Sequence, residues 1–300
     1  MTINAIGIKI PTQTAPDGTR FKTHEFDLSE YRTPEACAAL FRLDAAEAPG
    51  GGNIGESALE GGRIDFFFGS RRGSHPAMKD YCAEIIAKGD LKATERLAEA
   101  SSQAEALAVQ GCSNVRPAWS PRRVTGQRFD LERVLASDSH PWGRWESGKR
   151  LKDGTKIVSL YISVGGNCNL SAEQMAWSPV AGVIMADILE KAGYRVEIWG
   201  VWATSNGDGI HRALRFSLKH ADQPLDLNAL TRCCNSPVIR GVIFCKSMVI
   251  WGFEALGSSY GRSAIGAANW FDDENGITVR MAYNLKDSIA EIKRLVALFQ

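Results

Sequence analysis

The residue types that could do chemistry gather first at one corner, "KIVSLYISVGGNCNLSAEQM" at 156–175. An apolar strand runs into Ser163, Gly165, Gly166 and Asn167, and a helix start follows. Such a corner collects hydroxyl, amide and backbone N–H groups at one point, which suits a metal ion or a phosphate. The phosphate motifs are absent. No Gly-Lys-Ser/Thr follows the glycines, and "GGNCNLS" lacks the G-x-G-x-x-G spacing, so the glycines read as a turn.

The other candidates are weaker. His24, His75, His140, His211 and His220 form no H-x-x-x-H or H-E-x-x-H pair. The seven cysteines contain no C-x-x-C, which argues against a zinc cage and against a disulfide framework. Adjacent Cys233 and Cys234 read as small buried apolar residues at a helix end. "GSSYGRSAIG" at 257–266 is no strand-to-helix nucleophile elbow. Asp222 and Asp226 flank Pro224 and are explained by a turn and a helix cap. No nucleophile, base and acid form a set, so an enzyme is the less favoured class and no cofactor is expected.

Aromatic and basic residues interleave twice. Trp119 precedes Arg122 and Arg123 in "AWSPRRVTGQR", and Trp142 and Trp145 flank Arg144 in "HPWGRWESGKR". Arg71 and Arg72 could add to them. On loops, this mixture suits single-stranded nucleic acid, which stacks its bases on aromatic rings and lays phosphates on cations. The competing reading makes the indoles loop anchors with arginines stacked on them. A formal net charge of +1 favours the second, because no global field draws in a polyanion.

The elements that must position these residues divide near residue 150. The span 1–150 carries helical periodicity in "TPEACAALFRL" and "HPAMKDYCAEIIAKGDLKATERLAEASSQAEALAV", and reads as a mainly helical region. The span 151–300 alternates strands and helices as an α/β domain does. Strands are expected at 156–164, 194–204, 211–221, 241–246 and in "GITVRMAYN". Helices are expected at 171–193 and 285–299. Ser171 and Gln174 have capping-box spacing, Gly193 is placed to end the helix, and Pro179 marks a kink or a late start. The nearly continuous apolar runs need cover on both faces, which those two helices can supply. The fold class expected is α/β, a mostly parallel sheet flanked by helices. Hydrophobic content of 44% and charged content of 23% are ordinary globular values, and no run approaches the roughly 18 apolar residues of a membrane span. The first residues lack the pattern of a signal peptide, so the expectation is a cytoplasmic protein with no membrane partner.

The order strand, polar loop, long helix, strand, strand, helix, strand resembles a von Willebrand factor A-like domain. The runs "VSLYISVGGNCNLSAEQM", "ADILEKAGYRVEIWGV" and "FSLKHADQPLDLNALTRCCNSPVIRGVIFC" are similar to a poorly characterised bacteriophage family with a degenerate form of that domain. In metal-binding A domains the first strand ends in Asp-x-Ser-x-Ser. On this chain the resemblance lays the Asp on Ser163 and the two Ser on Gly165 and Asn167. Without its carboxylate the corner should bind Mg²⁺ poorly. The resemblance thus implies a metal-dead A-like domain whose loop surface, Ser163, Gly165, Gly166 and Asn167, meets a protein partner. A MoxR-type AAA+ ATPase is the partner class it suggests. The function expected is a non-catalytic adaptor or assembly factor in a host cytoplasm; the alternative is a single-stranded nucleic-acid-binding accessory factor in phage replication or transcription.

Overall fold

The apolar run at the opening corner becomes an inner strand of a six-stranded sheet. The structure, a computed structural model, describes residues 10–15, 17–47, 77–111, 118–123, 128–129, 142–146, 157–164, 170–205, 209–252, 267–271 and 276–299. Its strands are β1 (Gln13–Thr14), β2 (Arg20–Asp27), β3 (Ala118–Arg123), β4 (Arg128–Phe129), β5 (Trp142–Glu146), β6 (Ile157–Ser163), β7 (Arg195–Ser205), β8 (His211–Lys219) and β9 (Gly276–Val279). Its helices are α1 (Pro34–Glu47), α2 (Met78–Lys88), α3 (Leu91–Gly111), α4 (Ala172–Lys191), the single turn α5 (Leu227–Leu230), α6 (Phe244–Trp251) and α7 (Leu285–Ala297).

The large sheet has the order β1-β2-β8-β7-β6-β9, and β3-β5-β4 form a separate three-stranded sheet. Strand β6 is parallel to β7 and β9, and β2 is parallel to β8. Strand β8 runs antiparallel to β7, and β1 to β2. The sheet is therefore mixed, where a mostly parallel one was expected. The connection 206–210 is too short for a crossover, so β7 and β8 can pair only as antiparallel neighbours.

Around the large sheet, two elements depart from the sequence reading. The span 241–246, expected as a central strand, is helical. A π-helix, Val238–Ile243, runs directly into α6. Asn235 starts it, its side-chain oxygen accepting the Val238 N–H at 3.1 Å and its carbonyl the Ile239 N–H at 3.1 Å. Every residue from Val238 to Cys245 is buried, so no polar face betrays the helical period. The second departure is β2, "RFKTHEFD", whose only buried residues are Phe21 and Phe26. It lies beside β8 in the same sheet as the strands beyond residue 150.

Alternation along the strands divides the sheet into two faces. Val158, Leu160 and Ile162 of β6, Val196 and Ile198 of β7, and Leu214 and Phe216 of β8 share one apolar cluster with buried side chains of α1, α2, α3, α4, α6 and α7. Helices α4 and α7 touch each other in that cluster, so both cover one face, where cover of the two faces had been expected from them. The second face carries Phe21, Tyr161, Val201, Ala203 and Ala213, packed against Trp270 of the short 3₁₀ helix Ala267–Phe271. Trp199 and Phe271 lie at its border.

Helix α4 is fixed at both ends and along its length. The Ser171 hydroxyl accepts the Gln174 N–H at 3.1 Å and the Gln174 side chain accepts the Ser171 N–H at 2.9 Å, completing the expected capping box. Gly193, just past its end, has φ 95°, which a side chain would resist. The helix continues through Pro179. Beside that proline, the Ser178 hydroxyl accepts the Ala282 N–H at 2.7 Å and donates to the Ala282 carbonyl at 3.2 Å, tying the helix to the segment after β9. A Cβ on Gly182 would stand 2.4 Å from Ile162, so the glycine allows the helix its close approach to β6.

Among the described residues, strand β9 ends the sheet. The Arg294 guanidinium donates to the Thr278 carbonyl at 2.7 Å, and the Glu291 carboxylate accepts the Arg280 N–H at 2.8 Å. The two side chains are themselves paired at 2.6 Å. Helix α7 thus supplies to this border a donor and an acceptor of the kind a further strand would bring.

Candidate functional site

Ser163 ends β6 and is buried, opposite Val201 in the register. The Val164 N–H donates to the Val201 carbonyl at 3.0 Å and extends the pairing by one step. Gly165, Gly166 and Asn167 lie outside the described residues. On the far side of the loop, Leu170 precedes the Ser171 cap, and its carbonyl accepts from the guanidinium of Arg240. Arg240 sits in the π-helix with its side chain buried. The helix that replaced an expected strand therefore carries a cation to this corner. Of the corner's described side chains, Ser163 is a neutral serine without the carboxylate that Mg²⁺ favours. Among the described residues, no three His, Cys, Asp or Glu gather to hold a metal ion.

The aromatic and basic residues of the second candidate group, expected on loops, lie on strands. Trp119, Arg122 and Arg123 belong to β3, and Trp142, Arg144 and Trp145 to β5. The antiparallel register sets Trp119 opposite Trp145, Ser120 opposite Arg144 and Arg123 opposite Trp142, with a register shift between Ser120 and Arg123. Phe129 of β4 stands on the other side of Trp142. Residues far apart in sequence are thereby brought to neighbouring positions of one small sheet.

The remaining groups with chemical potential are built into the fold. Asp90 caps α3 through the Lys92 N–H at 3.0 Å, accepts from the Asn235 amide at 2.7 Å, and donates its own N–H to the Thr231 hydroxyl at 2.8 Å. The Asn235 amide also reaches the Tyr81 hydroxyl at 3.2 Å. Lys219 is buried, donating to the Val196 carbonyl at 2.7 Å and pairing with Glu190 at 2.6 Å. The thiols among the described residues, of Cys37, Cys82, Cys233, Cys234 and Cys245, are buried. Burial first and Asp80 second push Cys37 up to about 12. Burial does the same for Cys82, and a hydrogen bond with Cys233 followed by burial does so for Cys234. A thiol reacts as its thiolate, which these sites disfavour.

Arg215 is the exception in character. On the second face its guanidinium lies 4.6 Å from the Trp199 ring centre, 5.4 Å from Phe271 and 5.9 Å from Tyr161, and it pairs with Glu25 of β2. Beyond β8, the His220 ring approaches the Ser217 hydroxyl at 3.1 Å and meets Trp199 edge-on at 5.9 Å. Sequence reading missed Arg215, because strand alternation gives its face but not its aromatic neighbours on β6, β7 and the 3₁₀ helix.

Among the described residues no helix is long and apolar enough to cross a membrane. The model of a family described as "Domain of unknown function (DUF7192)" matches residues 81–297. No curated protein and no solved structure matches the chain.

Proposed function

Because the chain belongs to this domain family, whose description assigns no activity, we propose its role from its own residues: a non-catalytic binding protein, an adaptor or assembly factor. The observation that carries this reading is where the reactive side chains are spent. Asp90, Asn235, Lys219 and the five described thiols are each consumed as caps, ties or buried filling. Beside the opening corner, Arg240 donates to the Leu170 carbonyl. The parallel β6–α4–β7 unit with its loop at Ser163 is what supports kinship to A-like domains, and with it a phage origin and a MoxR-type AAA+ ATPase as the partner to try first. The cover of one sheet face by both α4 and α7 weighs against that kinship.

The small sheet supports a second reading. Its register joins Trp119 to Trp145 and Arg123 to Trp142, and stacking on a sheet is how single strands are held.

One experiment separates the two. The full chain is titrated with a fluorescent single-stranded oligonucleotide across a salt series, and separately sedimented with a MoxR-type ATPase purified from the same genome. The adaptor reading expects a complex in the second experiment and flat anisotropy in the first. Micromolar oligonucleotide binding that weakens steeply with salt and falls on Trp119→Ala or Trp142→Ala would replace it with the second reading.

A further inference from the structure

The two borders of the large sheet are finished differently. At β9 the side chains of Glu291 and Arg294 take the place of a neighbouring strand. At the other border β1 pairs with β2 only at Arg20 and Phe21. Continued in the same register, β1 would set Pro11 opposite Thr23, and a proline brings no N–H to a ladder. From Lys22 to Phe26 the inner edge of β2 is paired with β8 throughout. Among the described residues, no strand or side chain bonds the outer edge of that stretch.

Strand β2 alternates in charge as well as in burial. Phe26 faces the helix layer, and Phe21 faces the second side of the sheet. By the same alternation Lys22 and His24 lie on the helix side, and Thr23, Glu25 and Asp27 on the second. Glu25 and Asp27 are exposed, and Lys22 is partly so. Pairing with Arg215 leaves the Glu25 side chain half exposed, so its carboxylate still meets an arriving cation. The border thus presents open main chain with positive charge along one side and negative charge along the other. A second copy added antiparallel about a twofold axis would bring positive side to positive and negative side to negative, and like charges opposite each other repel across a ladder.

We propose that the outer edge of β2, from Lys22 to Phe26, docks an extended segment of a partner protein, a strand with Lys or Arg on the side of Glu25 and Asp27 and Asp or Glu on the side of Lys22 and His24. Such a site deepens the binding role proposed above and rests on it. Main-chain hydrogen bonds supply the attachment, and the alternating side chains supply the choice of partner. Charges along an open edge keep indiscriminate strands away, and their segregation by side leaves one pattern welcome.

The acetylated and amidated peptide Arg-Ile-Lys-Glu-Thr-Glu carries that pattern when it runs antiparallel to β2, its first Arg opposite Asp27 and its last Glu opposite Lys22. A control peptide, Glu-Ile-Glu-Lys-Thr-Lys, exchanges the charges of the two sides. The full chain is titrated with each, and amide exchange along β2 is followed by NMR. The first peptide should slow every second amide from Lys22 to Phe26, those turned away from β8, and should bind at least about tenfold more tightly than the control. Lys22→Glu should weaken it about fivefold, and replacing the peptide's last Glu by Lys should restore the loss, a rescue that a general disturbance of the fold would not give.

The same amides are read in a mixture with the MoxR-type ATPase. A complex that leaves them exchanging as before would keep the binding role and overturn the edge as its site. Peptide protection without such a complex would support the edge and remove that ATPase as the partner. Equal binding of the two peptides, no protection at millimolar peptide, full protection in the chain alone, or a dimer that protects the same amides would each overturn the proposal.

Discussion

The two faces of the large sheet are made from the same strands and held by different physics. On one face Leu160, Ile198, Leu214 and Phe216 are buried against six helices, and the attraction is area removed from water. On the other, Tyr161, Trp199 and Phe271 surround the Arg215 guanidinium, which pairs with an exposed glutamate. The first face tolerates no volume change, because packed interiors have no slack. The second holds by interactions that salt and side-chain freedom weaken. One strand, β8, serves both through alternate residues.

That contrast can be broken by substitution. The largest loss is expected from Phe216→Ala, about 3–5 kcal/mol, read as a fall in the denaturant midpoint at unchanged slope. A loss near 1 kcal/mol would mean that the helical face is no tighter than the other. Next comes Gly200→Ala on β7. A Cβ there would stand 2.2 Å from the Phe216 ring, so overpacking should cost about 1–3 kcal/mol by the same measurement, and a neutral result would show the ring free to move. On the second face Arg215→Met keeps the length of the side chain and removes the charge. It should cost about 1 kcal/mol, the scale of a partly exposed cation–aromatic contact. Smallest is Glu25→Gln, within about 0.5 kcal/mol in low salt and vanishing in 1 M NaCl, since Glu25 is half exposed. A salt-independent effect there would make the pair a buried one in energetic terms.

Legibility followed the same contrast. β6, α4, β7, β8 and α7 could be read from the sequence because their pattern is strong: an apolar run with a Gly-rich stop, a capping box, a clean amphipathic stripe. β2 could not, because two buried aromatics in eight residues make no pattern, and its place beside β8 comes from a pairing across nearly two hundred residues. The π-helix could not because "VIRGVIFC" is mostly apolar with β-branched pairs at both halves, and a short fully buried run looks alike as helix or strand. The better signal was "NSP" just before it, an asparagine cap followed by a proline in the first turn. At the candidate site the same error hid Arg240. In the small sheet, "AWSPRR" and "WGRWE" carry a proline and a glycine that argue for loops, and only long-range pairing shows them as strands.

The end of the sheet at β9 has a consequence for how this protein meets other copies of itself. A row of open main-chain groups at a sheet border invites another chain to add on, and then another, which is how soluble proteins turn into fibres. Here Glu291 and Arg294 hold the Arg280 N–H and the Thr278 carbonyl in place of a neighbour's backbone. Substituting both with alanine would leave a folded protein with an unblocked end, whose defect should surface as slow thickening of concentrated solutions rather than as a lower melting point.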